Sequence, residues 1–192
     1  MGFLKNEKAE QEVQEINIIR EIISMLLYII VVMVMIWLII NYVGQRTEVS
    51  GESMNATLED ADHLWIDKLS YHFKEPKRFD IVVFPYQDTS IYYIKRIIGL
   101  PGETIYIDEE GQIHINGEIL EEDYGLETID PFTLGRAERP VTLGDDEYFV
   151  MGDNRNNSKD SRTNEVGNVH RKEIEGKVAV RIWPLGRFGK VD

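Results

Sequence analysis

The chain contains no cysteine. That removes disulfides, thiolate-bound zinc and a thiol nucleophile together. An exported animal domain of this size would draw on disulfides, so their absence leans towards a bacterial surface. Histidine is sparse: His63, His72, His114 and His170 lie apart, and none forms an HExxH pair or another ligand spacing. Basic clusters are missing too. The net charge is -13, and the first 46 residues, with four Lys/Arg against five Asp/Glu, contribute only -1 of it. An acidic chain without a stripe of Lys/Arg does not hold a phosphate backbone, so nucleic acid is not an expected partner. Beyond Thr47 no segment carries a long helical period.

What is present begins with one long apolar run. From Ile22 to Gly44, "IISMLLYIIVVMVMIWLIINYVG" holds no charged residue. At about 1.5 Å per residue such a helix crosses roughly 30 Å of hydrocarbon. A core helix apolar on every face would need a larger protein around it. The run exceeds the apolar part of a cleaved signal peptide, and "NYVGQRTEVS" after it offers no small-x-small exit site. The reading is an uncleaved anchor over 22–44, following a segment 1–21. Lys5, Lys8 and Arg20 precede the run and Arg46 follows it, which predicts a cytoplasmic N-terminus and an extracytoplasmic unit over 45–192.

The rest reads as mainly β. "FDIVVFPY" (Phe79–Tyr86) and "SIYYIKRIIG" (Ser90–Gly99) are dense in β-branched and aromatic residues. Pro101-Gly102 marks a sharp turn. "ETIYIDEEGQIHINGEIL" alternates on both sides of Asp108–Gly111, as a hairpin does. "EYFVMGD" and "GKVAVRIWPLG" supply two more strands, and a short helix is expected around Ser70 to Lys74. Residues 121–145 carry Gly, Pro and charge without periodicity, and about 105–145 reads as an insertion between two β-rich blocks.

With no cysteine and no suitable histidine, a hydrolase here needs serine with another base. Lysine serves when it is neutral, and burial depresses its pKa by several units. Lys95 stands out. Strand alternation puts it on one face with Ile91, Tyr93 and Ile97, and turns Arg96 to the other face. An edge lysine that discourages aggregation fits the same pattern equally well. Ser53, in "SGESMNATLED", has Gly51 to permit a tight turn and Met54 to fill an apolar pocket, but a lone loop serine is more often structural. "MGDNRNNSKDSR" packs Asp153, Asn154, Arg155, Ser158, Asp160, Ser161 and Arg162 into one loop, as a hydrogen-bonded support or as a solvated turn. It is not a calcium loop, since Arg155 stands where a ligand belongs.

"SGESMNATL", "RFDIVVF", "YIKRIIGLPGE" and "GDNRNNSKDSR", in that order after a single N-terminal span, resemble type I signal peptidase, in its Gram-positive branch. The resemblance thins between about residues 105 and 145. It implies a signal-peptidase-like external β domain and a membrane-bound Ser/Lys endopeptidase that removes signal peptides from exported preproteins. It assigns Ser53 as nucleophile and Lys95 as general base, with Ser158 hydrogen-bonding and orienting that base. Asp153, Arg155, Asp160 and Arg162 match a buttress, and Met54 a residue beside the nucleophile. The Ser53 N–H would serve the oxyanion, because Gly51 stands where enterobacterial relatives place a serine. Ala56 replaces the usual proline. No metal or cofactor is implied; the implied partners are preprotein signal peptides and membrane lipid. Only nine residues separate Gly44 from Ser53, so the serine lies at most roughly 30 Å from the end of the span. Three alternatives stay open: a catalytically silent scaffold in surface-protein or pilus assembly, an enzyme dedicated to one substrate, and an anchored β domain that only binds a ligand.

Overall fold

The computed structural model describes residues 3–87 and 91–191, with side chains from residue 17 onward. The chain divides into two units, Met1–Val43 and Gly44–Asp192. Unit one is a helix, α1 (Phe3–Leu38), continued by a π-helical turn over Ile39–Val43. Within it Asn17–Val43 has a mean hydropathy of 3.0 over its most apolar stretch. It is long and apolar enough to cross a membrane, and its described side chains are almost all exposed. The helix therefore starts well before the apolar run and takes in most of the predicted 1–21 segment, where Lys5 and Lys8 lie outside the described side chains.

Unit two is mainly β. Its strands are β1 (Gly44–Glu48), β2 (His63–Asp67), β3 (Ile81–Pro85), β4 (Tyr92–Gly99), β5 (Thr104–Ile107) and β6 (Ile113–Ile115). There follow β7 (Glu118–Ile119), β8 (Val141–Thr142), β9 (Glu147–Met151), β10 (Val169–His170), β11 (Gly176–Trp183) and β12 (Gly189–Lys190). Ser90, at the start of the predicted strand now seen as β4, lies outside the described residues. The larger sheet runs β1-β2-β11-β3-β4-β9-β10, with β12 on β11. The smaller runs β7-β6-β5-β8. The predicted hairpin is β5–β6, paired Ile105↔Ile115 and Ile107↔Ile113.

Residues 121–145, aperiodic in sequence, form two 3₁₀ turns, Pro131–Thr133 and Gly135–Glu138, before β8 returns to β5. Their order rests on contacts with other segments, so they leave no period to read. The expected short helix is a 3₁₀ turn over Ser70–His72.

At β3 both faces of the larger sheet are buried. On β3, Ile81 and Val83 enter one cluster with Met54, Leu64, Ile66 and Val178. Val82 and Phe84 enter another with Ile97, Tyr148 and Val150. A sheet covered on both sides needs near-continuous apolar strands, which explains the dense run in "DIVVF". A third cluster joins the smaller sheet to the larger through Ile98, Ile105, Ile107, Phe149 and Met151.

Candidate active site

The loop joining β1 to β2 carries Ser53. It closes on itself through Val49 N–H to the Asp62 carbonyl at 2.8 Å and Ala61 N–H to the Val49 carbonyl at 3.0 Å. Gly51 takes φ +96, a value that favours glycine, and its N–H donates to Asp60 at 2.7 Å. Met54 and Leu58 bury themselves at 1 % and 0 % exposure and anchor the loop in the core. The Asn55–Ala56 peptide is cis.

From the other side the loop is held by the segment after β9. Asn154 N–H donates to the Ser53 carbonyl and its side-chain amide to the Glu52 carbonyl, both at 3.1 Å. Gly152 fits there because it has no side chain: a Cβ would lie 2.3 Å from both the Ser53 carbonyl and Ser158 Oγ.

β4 brings Lys95 to this loop. Its register is Lys95↔Val82 and Arg96↔Met151 between β3 and β9. Lys95 Nζ lies 2.7 Å from Ser53 Oγ and 2.9 Å from the Ile94 carbonyl, and 5.1 Å from the centre of the Tyr93 ring. At 3 % exposure the amine is nearly out of water. Burial lowers its pKa from the ordinary 10.5 to about 8, and the charges of Asp160 and Asp153 pull it back upward only in part. Around the pair opens a cleft of about 510 Å³, lined by Ser53, Lys95, Met54, Tyr93, Asn157 and Lys159 among others. The Ser53 N–H meets no acceptor among the described residues, which leaves it available to an oxyanion.

Arg96, next along β4, points away and is fully buried. Its Nε and Nη2 grip Asp153 at 2.9 and 2.8 Å, and its guanidinium lies 3.7 Å from the Tyr124 ring centre. Thr57 Oγ1 donates to the same carboxylate at 2.6 Å, tying the serine loop to it. Asp160 accepts from Gly152 N–H at 3.0 Å and from Arg162 Nε and Nη2, each at 2.9 Å. Arg155 reaches the Gly152 carbonyl at 3.1 Å and Glu122 at 2.6 Å. Asp62, also fully buried, pairs with Arg181 of β11 at 3.0 Å and with Arg187, in the 3₁₀ turn Leu185–Arg187 that follows, at 2.6 Å.

Asp153, Arg155, Asp160 and Arg162 thus gather behind Gly152, and Ser53, Met54, Gly51 and Lys95 in front of it. Ser158 differs from what the resemblance implies. Its Oγ lies against Gly152 and has no hydrogen-bond partner, and the contacts of Lys95 Nζ are with Ser53 and Ile94. Sequence reasoning gave no site role to Arg96, Thr57, Asp62 or Glu122, and named Asn154 only within the supporting loop. For Arg96 the signal was present: a second cation in an apolar strand, on the opposite face from Lys95, needs a buried carboxylate. For Thr57 and Asp62 nothing local marks a partner more than 95 positions away.

A hydroxyl within hydrogen-bond reach of a nearly dry amine, beside a peptide N–H free to donate to an oxyanion, has the parts of a serine hydrolase with a lysine partner. Comparison with known proteins agrees in class. A family model described as "Signal peptidase, peptidase S26" matches residues 20–183. Signal peptidase I of Leptolyngbya laminosa is 40 % identical over 159 residues, covering 79 % of this chain and 74 % of the relative. Signal peptidase I P of Bacillus subtilis subsp. natto is 34 % identical over 172 residues, covering 87 % and 92 %. A crystal structure of a signal peptidase I from Enterococcus faecalis V583 is similar at 35 % identity and a TM-score of 0.45, over 55 % of this chain and 98 % of that one. The chain belongs to the S26 signal peptidase family and is a serine peptidase of the signal peptidase I kind.

Proposed function

We propose that this chain is a membrane-anchored endopeptidase that removes signal peptides from exported preproteins, with Ser53 as nucleophile and Lys95 as general base. The observation that carries the reading is the 2.7 Å contact between Ser53 Oγ and a lysine at 3 % exposure. While Lys95 is charged it donates to the hydroxyl. Once neutral, the same contact lets the hydroxyl donate to the amine, and Lys95 takes the proton as Ser53 attacks the scissile carbonyl. The carbonyl oxygen gains negative charge facing the Ser53 N–H. Lys95, now an ammonium, gives its proton to the leaving amine, and the new N-terminus departs. An acyl-enzyme on Ser53 remains, and the amine, neutral again, draws a proton from water to release it.

The buttress behind Gly152 supports this by holding the Ser53 carbonyl, and hence the loop, against β9. The apolar span Asn17–Val43 supports anchoring in the cell membrane, and Lys5, Lys8 and Arg20 ahead of the uncharged run 22–44, against Arg46 alone just after it, support a cytoplasmic N-terminus with the β unit outside. Such an anchor keeps the serine within a short chain length of membrane-inserted substrates. The relatives named above carry peptidase names, and both dyad positions are filled here, so the silent-scaffold alternative gains no support.

The test is cleavage of a preprotein by the purified full chain in detergent, comparing Ser53→Ala and Lys95→Ala with the unmodified protein. Loss of cleavage in both is expected. Cleavage surviving both substitutions sinks the dyad.

A further inference from the structure

Lys159 lies in the supporting loop, and the steps above do not use it. It is exposed, and it lines the same cleft as Ser53 and Lys95. Its ammonium is held in place. Nζ donates to the Tyr86 hydroxyl at 3.0 Å and sits 5.0 Å from the centre of that ring. Tyr86 stacks on Tyr93, with centroids 4.6 Å apart and planes 14° from parallel, and Tyr93 in turn neighbours Lys95. A stacked pair fixes ring positions, and a cation over a ring face is attracted to it. The backbone of Lys159 is pinned by its neighbour Asp160, fully buried and bonded to Gly152 and Arg162. An exposed lysine ordinarily spends rotamer freedom on any contact it makes; here much of that cost is already met by the fold.

Tyr86 occupies one of the three ammonium donors, which leaves others for a ligand. The remaining charged lining residues sharpen the choice of ligand. Glu48 and Glu52 are acidic, and Lys95 is buried beside Ser53. A carboxylate entering this cleft therefore meets one exposed cation among the described lining residues, on a chain of net charge -13.

We propose that Lys159, ordered by Tyr86, is a specificity-determining residue that recognises an acidic side chain of the polypeptide bound in the cleft, near the bond to be cut. The inference rests on the cleft being the peptide-binding site. Exposed charge pairs contribute modestly, so the preference is selective without being absolute.

The test uses the full chain in detergent and preproteins identical except for Asp, Asn or Lys placed singly at positions flanking the cut on both sides. At one of these positions Asp is expected to outperform Lys by roughly fivefold in kcat/KM, carried by KM. Lys159→Gln should erase that preference and Lys159→Glu should invert it, and high salt should flatten it. Binding of the same labelled peptides to Ser53→Ala protein, read by fluorescence anisotropy, reports the preference without turnover. Because Lys159 is exposed, its variants are expected to fold. An unmoved preference in Lys159→Glu, with cleavage still dependent on Ser53, overturns the role of Lys159. Cleavage that survives Ser53→Ala overturns the dyad instead, and the Asp-over-Lys preference in kcat/KM, inverted or not in Lys159→Glu, then decides Lys159 alone.

Discussion

Two buried cations sit side by side on β4 and behave as opposites. Arg96 faces Asp153, Thr57 and the Tyr124 ring, with a carboxylate gripped by two nitrogens. Lys95 faces Ser53, a backbone carbonyl and Tyr93, with no carboxylate in contact. Burying a charge beside its counter-ion locks it, whereas burying it beside neutral groups favours the form without the proton. One strand thus holds a fixed charge on one face and a titratable amine on the other. Strand alternation turns them to opposite faces, and a guanidinium holds its proton far more firmly than a buried amine.

The largest effect that would break this contrast is removal of the titratable partner. Lys95→Met should lower kcat/KM by about 10²–10⁴-fold, the range of a general base, measured on a preprotein in detergent. In the unmodified protein activity should rise as pH climbs through about 8, the depressed value, because only neutral Lys95 accepts the serine proton. A profile flat from mildly acidic to alkaline pH would put the base elsewhere.

Next comes the locked side. Asp153→Asn leaves Arg96 buried without its counter-ion and should cost about 3–5 kcal/mol, read from chemical denaturation. It also removes a negative charge that raises the Lys95 pKa, so the rise of activity with pH should move to lower pH in whatever protein stays folded.

The same lysine makes a stability prediction of smaller size. Unfolded, it keeps its proton up to about 10.5; folded, it releases it at about 8. Between those values the unfolded state binds more protons, so this group's contribution makes stability rise with pH across that window and leaves it lowest below 8. Lys95→Met should therefore be more stable than the unmodified protein at neutral pH, by at least ~1 kcal/mol, with the advantage shrinking towards pH 10.5. Thermal melts across that range check the sign.

The smallest effect belongs to Ser158, on neither side of the contrast. Its Oγ is buried and unpaired, so Ser158→Ala loses no hydrogen bond and should lower stability by no more than about 0.5 kcal/mol, read from thermal melts. A fall in kcat at constant stability is expected if Ser158 orients Lys95 during the reaction, and steady-state kinetics beside the melt separates that role from packing.

Much of the fold was legible because apolar pattern reports local structure. The strands over Ile81–Pro85, Tyr92–Gly99 and Gly176–Trp183, and the β5–β6 hairpin, follow runs and alternations visible in the chain. The smaller sheet was only half visible, since β8 spans two residues and exists by pairing with β5. For the site, alternation raised Lys95 but could not tell a dry amine from an edge lysine, and Ser53 entered through resemblance to a family. Arg181 and Arg187, which hold the serine loop through Asp62, carry no local mark.

The sequence by itself determined that one segment is greasy enough to span a bilayer, that no thiol is available for chemistry, and that the remainder is built of strands. Those follow from composition and short-range period. Only the tertiary structure decided which of two adjacent cations meets a carboxylate and which is left dry beside a hydroxyl. That depends on the counter-ions and water left around each after folding, and the groups that set it lie 42 residues from Lys95 at Ser53 and 57 from Arg96 at Asp153.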